Sequence, residues 1–506
     1  QRPEWNDANN ALAGWGLSAV TVFHLRRHLL VLKNIFSAAA LELSLSVPAA
    51  DLLRELSSAL NEVPGPRESP PDDSLRMSLM RRLGTAGEKH RAAVYARKMM
   101  SCTAVSTKQI LLFLDTALSA VEATLDSNRR ADALVHSYNL LSVHDGHASV
   151  SRLDLMLEGQ VAALGSGFFS SHAALRLLGA LRQSELYRED QHSYMLQPDR
   201  VIPPFLSRNR LPADAAERSP LLRRLLSGGD RSVVVSDRNG SLHFHPDFTN
   251  VSDLERRLDQ LATQPDLASG IAGGRALILE IWEEVFRHKA FTGRSGSIFG
   301  FEGLGSIYWH MVAKLLLAVQ ECWKSCDGSD PLVSSGLAAA YKDIREGLGF
   351  RKTPEVYGAF PTDPYSHTPR HKGAQQPGMT GQVKEELLTR RGELGVEVRD
   401  GRLHFDPGLL EAGEFLFGGG TFAYVDAGGR EREMALPASS LAFTVCQVPV
   451  CFELKDSQTI RVDWTDGRTE TIYENALSTE TSREIFSRSG RVAALTVHFP
   501  ASRLTF

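Results

Sequence analysis

The chain has 506 residues, with 56 Lys plus Arg against 60 Asp plus Glu, a formal net charge of −4, and 42% hydrophobic and 23% charged residues. This is globular composition, enough for two to four domains at roughly 100–200 residues each, and it argues against a disordered or fibrous chain. There is no basic footprint for nucleic acid, and no uncharged apolar run approaches the ~18 residues of a membrane span, so neither is an expected partner.

The first predicted element is an amphipathic helix from about Ala11 to Phe36, with Val22, Leu25, Leu29, Leu32 and Phe36 at spacings of three and four. Helical stretches follow to about Leu141, clearest over Val47 to Val63 and Thr107 to Leu125, and Pro64, Pro66, Pro70 and Pro71 mark a loop between those two. The pattern from about Ser142 to Gly270 is mixed. It includes a hairpin in which Val233 to Val235 and Leu242 to Phe244 flank an Asn239-Gly240 turn. Helices return at about Arg275 to His288, Ser306 to Trp323, Ser334 to Gly347 and Gly381 to Arg391. Near Gly395 the period changes to two. Ile460, Val462 and Trp464 alternate with polar residues, as do Leu495, Val497 and Phe499, and Asp400-Gly401, Asp466-Gly467 and Gly418 to Gly420 supply turns.

Five cysteines are too few, and too odd a number, for a disulfide scaffold, which suits a reducing, cytoplasmic setting. Cys322 and Cys326 share a helix face but lack two further ligands at zinc spacing, so they read as buried free thiols and no metal is expected. His243 and His245 share a strand face and also lack a third ligand. The chain starts with Gln1 rather than Met and shows no signal-peptide pattern, as a piece of a longer protein would.

Three segments concentrate polar, aromatic and glycine residues just before helices: Pro3 to Asp7, Gly300 to His310, and Gln375 to Gln382. Helix N-termini favour anions, so three such loops converging would form a polar site. Asp7 is either an N-cap or a general acid whose pKa Trp5 and Trp15 would raise. His310 is either a satisfied core histidine or an anion ligand. Thr380 is either an N-cap, with Glu385 and Glu386 complementing the dipole, or a phosphate ligand. The loop lacks the P-loop lysine spacing.

The order Trp5-Asn6-Asp7, then Glu302 with Tyr308 and His310, then Thr380-Gly381 resembles the cellobiose and chitobiose phosphorylases of glycoside hydrolase family 94 and its clan. The run from Glu393 to Leu409, with Asp406-Pro407, resembles the strand pair that opens that family's terminal β domain. The likeness covers about residues 3–40 and 290–420. It implies a mainly α fold with a β domain: an (α/α)6-barrel-type helical domain, here its latter half, followed by an antiparallel β-sandwich. On that reading residues 1–45 are a barrel segment with the acid and 46–270 a mostly helical insertion with a small hairpin. Residues 271–393 are a barrel segment with the phosphate and sugar site, and 394–506 the sandwich.

The activity implied is inverting phosphorolysis of a β-linked oligosaccharide, with inorganic phosphate as co-substrate and no other cofactor. Asp7 takes the place of the general acid. His310, Thr380 and Gly381 take those of the phosphate ligands, and Glu302 that of a sugar-site residue, one position further from His310 than in the family. Trp5, Asn6, Tyr308 and Gln376 complete the substrate site. The family's phosphate-binding arginine comes from helices that would precede Gln1, and Arg294 is a candidate substitute. The missing N-terminal half, and a second copy in a homodimer, are the protein partners this implies. An inverting hydrolase on the same scaffold, with Glu302 or another carboxylate as base, and a catalytically silent carbohydrate-binding subunit are the alternatives. Trp5, Trp15, Tyr308 and Trp309 are either sugar-stacking surfaces or core. Arg370, His371 and Lys372, beside His367, are either an anion site or a solvated loop. Tyr187 to Tyr194 is either a substrate clamp or a hydrogen-bonded structural loop.

Overall fold

The computed structural model describes residues 16–38, 42–65, 71–96, 101–199, 205–286, 307–326, 330–350, 367–368 and 383–504. The chain forms two compact units. One comprises Gln1–Phe168, Ala180–Tyr187 and Tyr194–Ile307, and the other Phe169–Gly179, Arg188–Ser193 and Tyr308–Phe506. No described helix is long and apolar enough to cross a membrane.

In the first unit the predicted opening helix begins only at Ala19, because Gly16–Ser18 is a short strand paired antiparallel with Tyr138–Leu140. That partner strand, Tyr138–His144, also closes a hairpin with His147–Arg152 across Asp145-Gly146, both at positive φ. Helix Ala19–Ala38 packs along helix Thr107–Asp126, and Leu29, Ile110 and Leu114 are buried between them with Val105. Strands Glu42–Ser46 and Cys102–Ser106 pair antiparallel, and each leads directly into a helix. At the second of these junctions Ser106 and Gln109 form a reciprocal capping box, which satisfies amides that the first helical turn leaves without partners. Helix Asp73–Tyr95 is capped by the Asp72 carboxylate, 2.7 Å from the Leu75 amide.

A separate core lies within residues 211–286. Helices Pro220–Ser227, Val251–Ala262 and Pro265–Phe286 surround the predicted hairpin, whose strands are Val234–Ser236 and Leu242–Phe244. The Phe244 and Trp282 rings meet edge to face at 4.9 Å. Asn209, 3% exposed, both accepts from the Phe244 amide (2.9 Å) and donates to its carbonyl (2.8 Å), a side-chain substitute for a strand neighbour. His243 bonds the Asn209 carbonyl and lies 3.2 Å from Asp237, so its ring ties the hairpin together. Helix Pro265–Phe286 runs through residue 270, where the sequence puts the end of the insertion.

The second unit joins helices to a β domain, as the composition of its two parts predicts. Helices Trp309–Lys324, Pro331–Arg345 and Val383–Glu393 come first. The hairpin Val396–Arg399 with Arg402–Phe405 follows at once. Five strands then form one sheet, in the order Ser440–Val445, Val448–Leu454, Val492–Phe499, Thr459–Trp464, Thr469–Ile472. The predicted alternation holds: Ile460, Val462, Leu495 and Val497 are fully buried and Phe499 nearly so. Phe452 is the hub of the core, with edge-to-face contacts to Phe405, Phe443 and Phe499 at 5.9, 5.0 and 5.3 Å. One pairing departs from the expected antiparallel pattern: Val492–Phe499 runs parallel to Val448–Leu454. Val448–Leu454 and Thr459–Trp464 run in opposite directions, so a strand inserted between them must be parallel to one. Alternation reveals which face a strand buries, not where it inserts.

Candidate active site

Of the residues assigned to the phosphate and substrate site, Tyr308 and His310 lie among the described residues. Trp5, Asn6, Asp7, Trp15, Arg294, Glu302, Gln376, Thr380 and Gly381 lie outside them, as do Arg370, His371 and Lys372. His367 begins a two-residue strand, His367–Thr368.

His310 sits in the first turn of helix Trp309–Lys324, for which Tyr308 is the N-cap residue in an extended conformation. An apolar surround forms because this helix is almost wholly buried. Ile307, Val312, Leu315 and Val319 are fully covered, and Trp309 is 1% exposed, so Trp309 is a core residue rather than a sugar-stacking surface. Both ring nitrogens of His310 have partners. Nε2 lies 3.1 Å from Glu385 Oε1, and Nδ1 lies 3.3 Å from the Tyr308 hydroxyl, whose ring meets the imidazole edge to face at 5.7 Å. Burial pushes the His310 pKa below the usual imidazole range, Lys314 adds to that, and the hydrogen bond to Glu385 opposes it.

Glu385 comes from helix Val383–Glu393, which buries an unusual face. Glu385, Thr389 and Glu393, four residues apart, are 4%, 4% and 2% exposed, while Leu387 and Leu388 point outward. The polar face is satisfied by neighbouring helices. Glu393 accepts from the Tyr341 hydroxyl at 2.6 Å and is paired with Arg345 (3.1 Å) and Arg390 (2.9 Å). Gln320 donates to the Thr389 carbonyl at 2.8 Å. Burial beside Glu393 pushes the Tyr341 phenol up, so it stays a donor at neutral pH. At the far end of the face, Glu385 Oε1 meets His310, while Oε2 is buried and has no hydrogen-bond partner among the described residues. A buried carboxylate oxygen without a hydrogen-bond partner costs free energy. The i, i+4, i+8 spacing of Glu385, Thr389 and Glu393 was readable in the sequence as a signal for Glu385, but it reads equally as a solvated stripe.

In the Tyr187 to Tyr194 segment, Arg188 is 4% exposed and pairs with Asp190 at 2.8 Å. His192 takes a left-handed conformation with φ 48° and lies 2.6 Å from Asp343. Cys322 is buried, and burial pushes its thiol up to about 12, as the reading of a packed free thiol predicts, whereas Cys326 is only half-buried. In the first unit a cavity of about 400 Å³ opens among Leu53, Arg54, Asn61, Val105, Phe113 and Thr116. Among the described residues no histidine or carboxylate lines it.

Residues 202–289 match the family described as GH149 phosphorylase insertion domain 2. The matched segment contains the separate core built on Phe244 and Trp282. No curated protein matches the chain. The match relates the chain to glycoside phosphorylases and to carbohydrate-active enzymes, the relationship that the motifs imply, without fixing family 94.

Proposed function

We propose that the chain is part of an inverting glycoside phosphorylase that cleaves a β-glucoside and releases a sugar 1-phosphate. The observation that carries this reading is the match of residues 202–289 to a phosphorylase insertion domain. In the proposed reaction a phosphate oxygen attacks the anomeric carbon and the glycosidic C–O bond breaks. Asp7 gives its proton to the leaving oxygen. An inverting hydrolase needs a second carboxylate ~6.5–9.5 Å away to activate water, whereas a phosphorylase needs donors at that place instead. His310, Thr380 and the Gly381 amide are such donors, with Arg294 as an added charge. Trp5, Asn6, Glu302, Tyr308 and Gln376 would hold the sugar. The cationic form of His310 suits a phosphate dianion, and the ring is held at a helix N-terminus, where the backbone dipole favours negative charge.

The test is a screen of β-linked glucose disaccharides and oligosaccharides with and without inorganic phosphate. Phosphorus NMR should detect an α-configured sugar 1-phosphate only with phosphate present. Equal cleavage in its absence would replace this reading with hydrolysis. Asp7→Asn should abolish cleavage and spare sugar binding, and retained turnover would remove Asp7 from the acid role.

A further inference from the structure

We propose that Glu385 is a positioning residue for His310: it accepts a hydrogen bond from Nε2–H, fixes the ring and favours its protonated form, so that Nδ1–H can be presented to a bound oxyanion. The identity of that anion as phosphate rests on the function proposed above; the coupling of the two side chains does not.

The geometry assigns the tautomer. A carboxylate oxygen 3.1 Å from Nε2 can only accept, so the proton of the neutral ring belongs on Nε2. Nδ1 is then a lone pair, and the Tyr308 hydroxyl, 3.3 Å away, is oriented to donate to it. That contact is long and easily displaced. An anion arriving at Nδ1 needs a donor there, which requires a second proton on the ring. Desolvation resists that proton, and so do the charges of Lys314 on the same helix and Lys384 on the neighbouring one. Among the groups acting on the ring, Glu385 is the one that favours it. Its carboxylate is suited to the task because Oε1 faces the ring, its ion pair with exposed Lys384 is long at 3.9 Å, and Oε2 has no hydrogen-bond partner among the described residues. Phosphate and Glu385 then stabilise the imidazolium from opposite nitrogens, and binding takes up one proton.

The experiment is nitrogen-15 NMR of the His310 ring in the full chain, titrated with pH and with inorganic phosphate. Wild type should show the Nε2–H tautomer when neutral, and phosphate should raise the ring pKa. Glu385→Gln should lower that pKa by about one unit, as loss of a neighbouring opposite charge does. It should also weaken phosphate about tenfold at pH 7 and move the alkaline limit of binding to lower pH. Glu385→Asp, which keeps the charge on a shorter arm, should fall between, and it replaces the Gln variant if that one fails to fold. An unmoved ring pKa, or an Nδ1–H tautomer in wild type, overturns the proposal whatever the enzyme does. A ring that responds to Glu385→Gln while phosphate moves neither protein removes the anion, and with it the phosphorylase reading of this site.

Discussion

Gly395 joins the site helix Val383–Glu393 to the β domain, and it is a position where one methyl group should be costly. Its φ is +62°, and a Cβ built there would meet the Asp406 carbonyl far inside the 3.0 Å that real Cβ atoms respect. Its carbonyl also accepts from the Asp406 amide at 2.9 Å. For Gly395→Ala the left-handed backbone costs about 1–2 kcal/mol. Forced separation of the two segments costs about 1–3 kcal/mol more, and a weakened Asp406 hydrogen bond about 1 kcal/mol. The expected loss is about 3–6 kcal/mol. Gly401 supplies the control. Its φ is +75°, but its nearest neighbour would be Thr479 Cγ2 at 3.9 Å. Gly401→Ala should therefore cost only the backbone share, about 1–2 kcal/mol. Urea denaturation followed by tryptophan fluorescence, compared at constant m-value, separates the two. Equal losses for the two variants would refute the close-approach argument and leave only the backbone conformation.

Three further outcomes are expected. Glu393→Ala should destabilise the helical part of the second unit by about 3–5 kcal/mol, because it removes the buried acceptor of the Tyr341 hydroxyl together with the ion pair to Arg345, and Glu393→Gln should cost less; a thermal melt within one degree of wild type would contradict this. Asn209→Ala should cost about 2–3 kcal/mol by orphaning the Phe244 amide and carbonyl, read as faster hydrogen exchange at Phe244, with unchanged exchange as the contrary result. Ellman's reagent at pH 8 should modify exposed Cys102 promptly and leave Cys322 and Cys451 intact until the protein unfolds. Burial raises those two thiols to about 12 and about 11, so almost no thiolate is present, and reaction of Cys322 at the Cys102 rate would count against the packing described.

The elements most legible in the sequence were those with strong period and sharp punctuation. The hairpin around Asn239-Gly240 formed where its turn dipeptide and flanking apolar triplets put it. So did helix Thr107–Asp126 and the alternating strands of the β domain. The opening helix was placed too early because its apolar spacing does not register that Gly16–Ser18 is recruited by a strand some 120 residues later. Pairing across that distance leaves no local mark. In the site, the Tyr-x-His spacing pointed to His310, and the structure gives that ring a buried carboxylate partner. Glu385 itself was read as a dipole complement on the first turn of a helix. Its burial depends on Trp309–Lys324 packing over it, which periodicity within one helix cannot report. For Trp309 the sequence leaves both readings open, sugar-stacking surface or core, and packing makes it core.

Strand Val492–Phe499 is third in spatial order and last in sequence among the five strands of its sheet. Until it arrives, the sheet consists of two separate hairpins, Ser440–Leu454 and Thr459–Ile472, with no edge in common. During synthesis both hairpins therefore wait with open inner edges, and only this strand can zip them together. Closure of the domain is a late, long-range event, of the kind that slows folding. Substitutions in Leu495 or Val497 should act on the yield of folded protein in the cell well before they act on anything at the distant histidine.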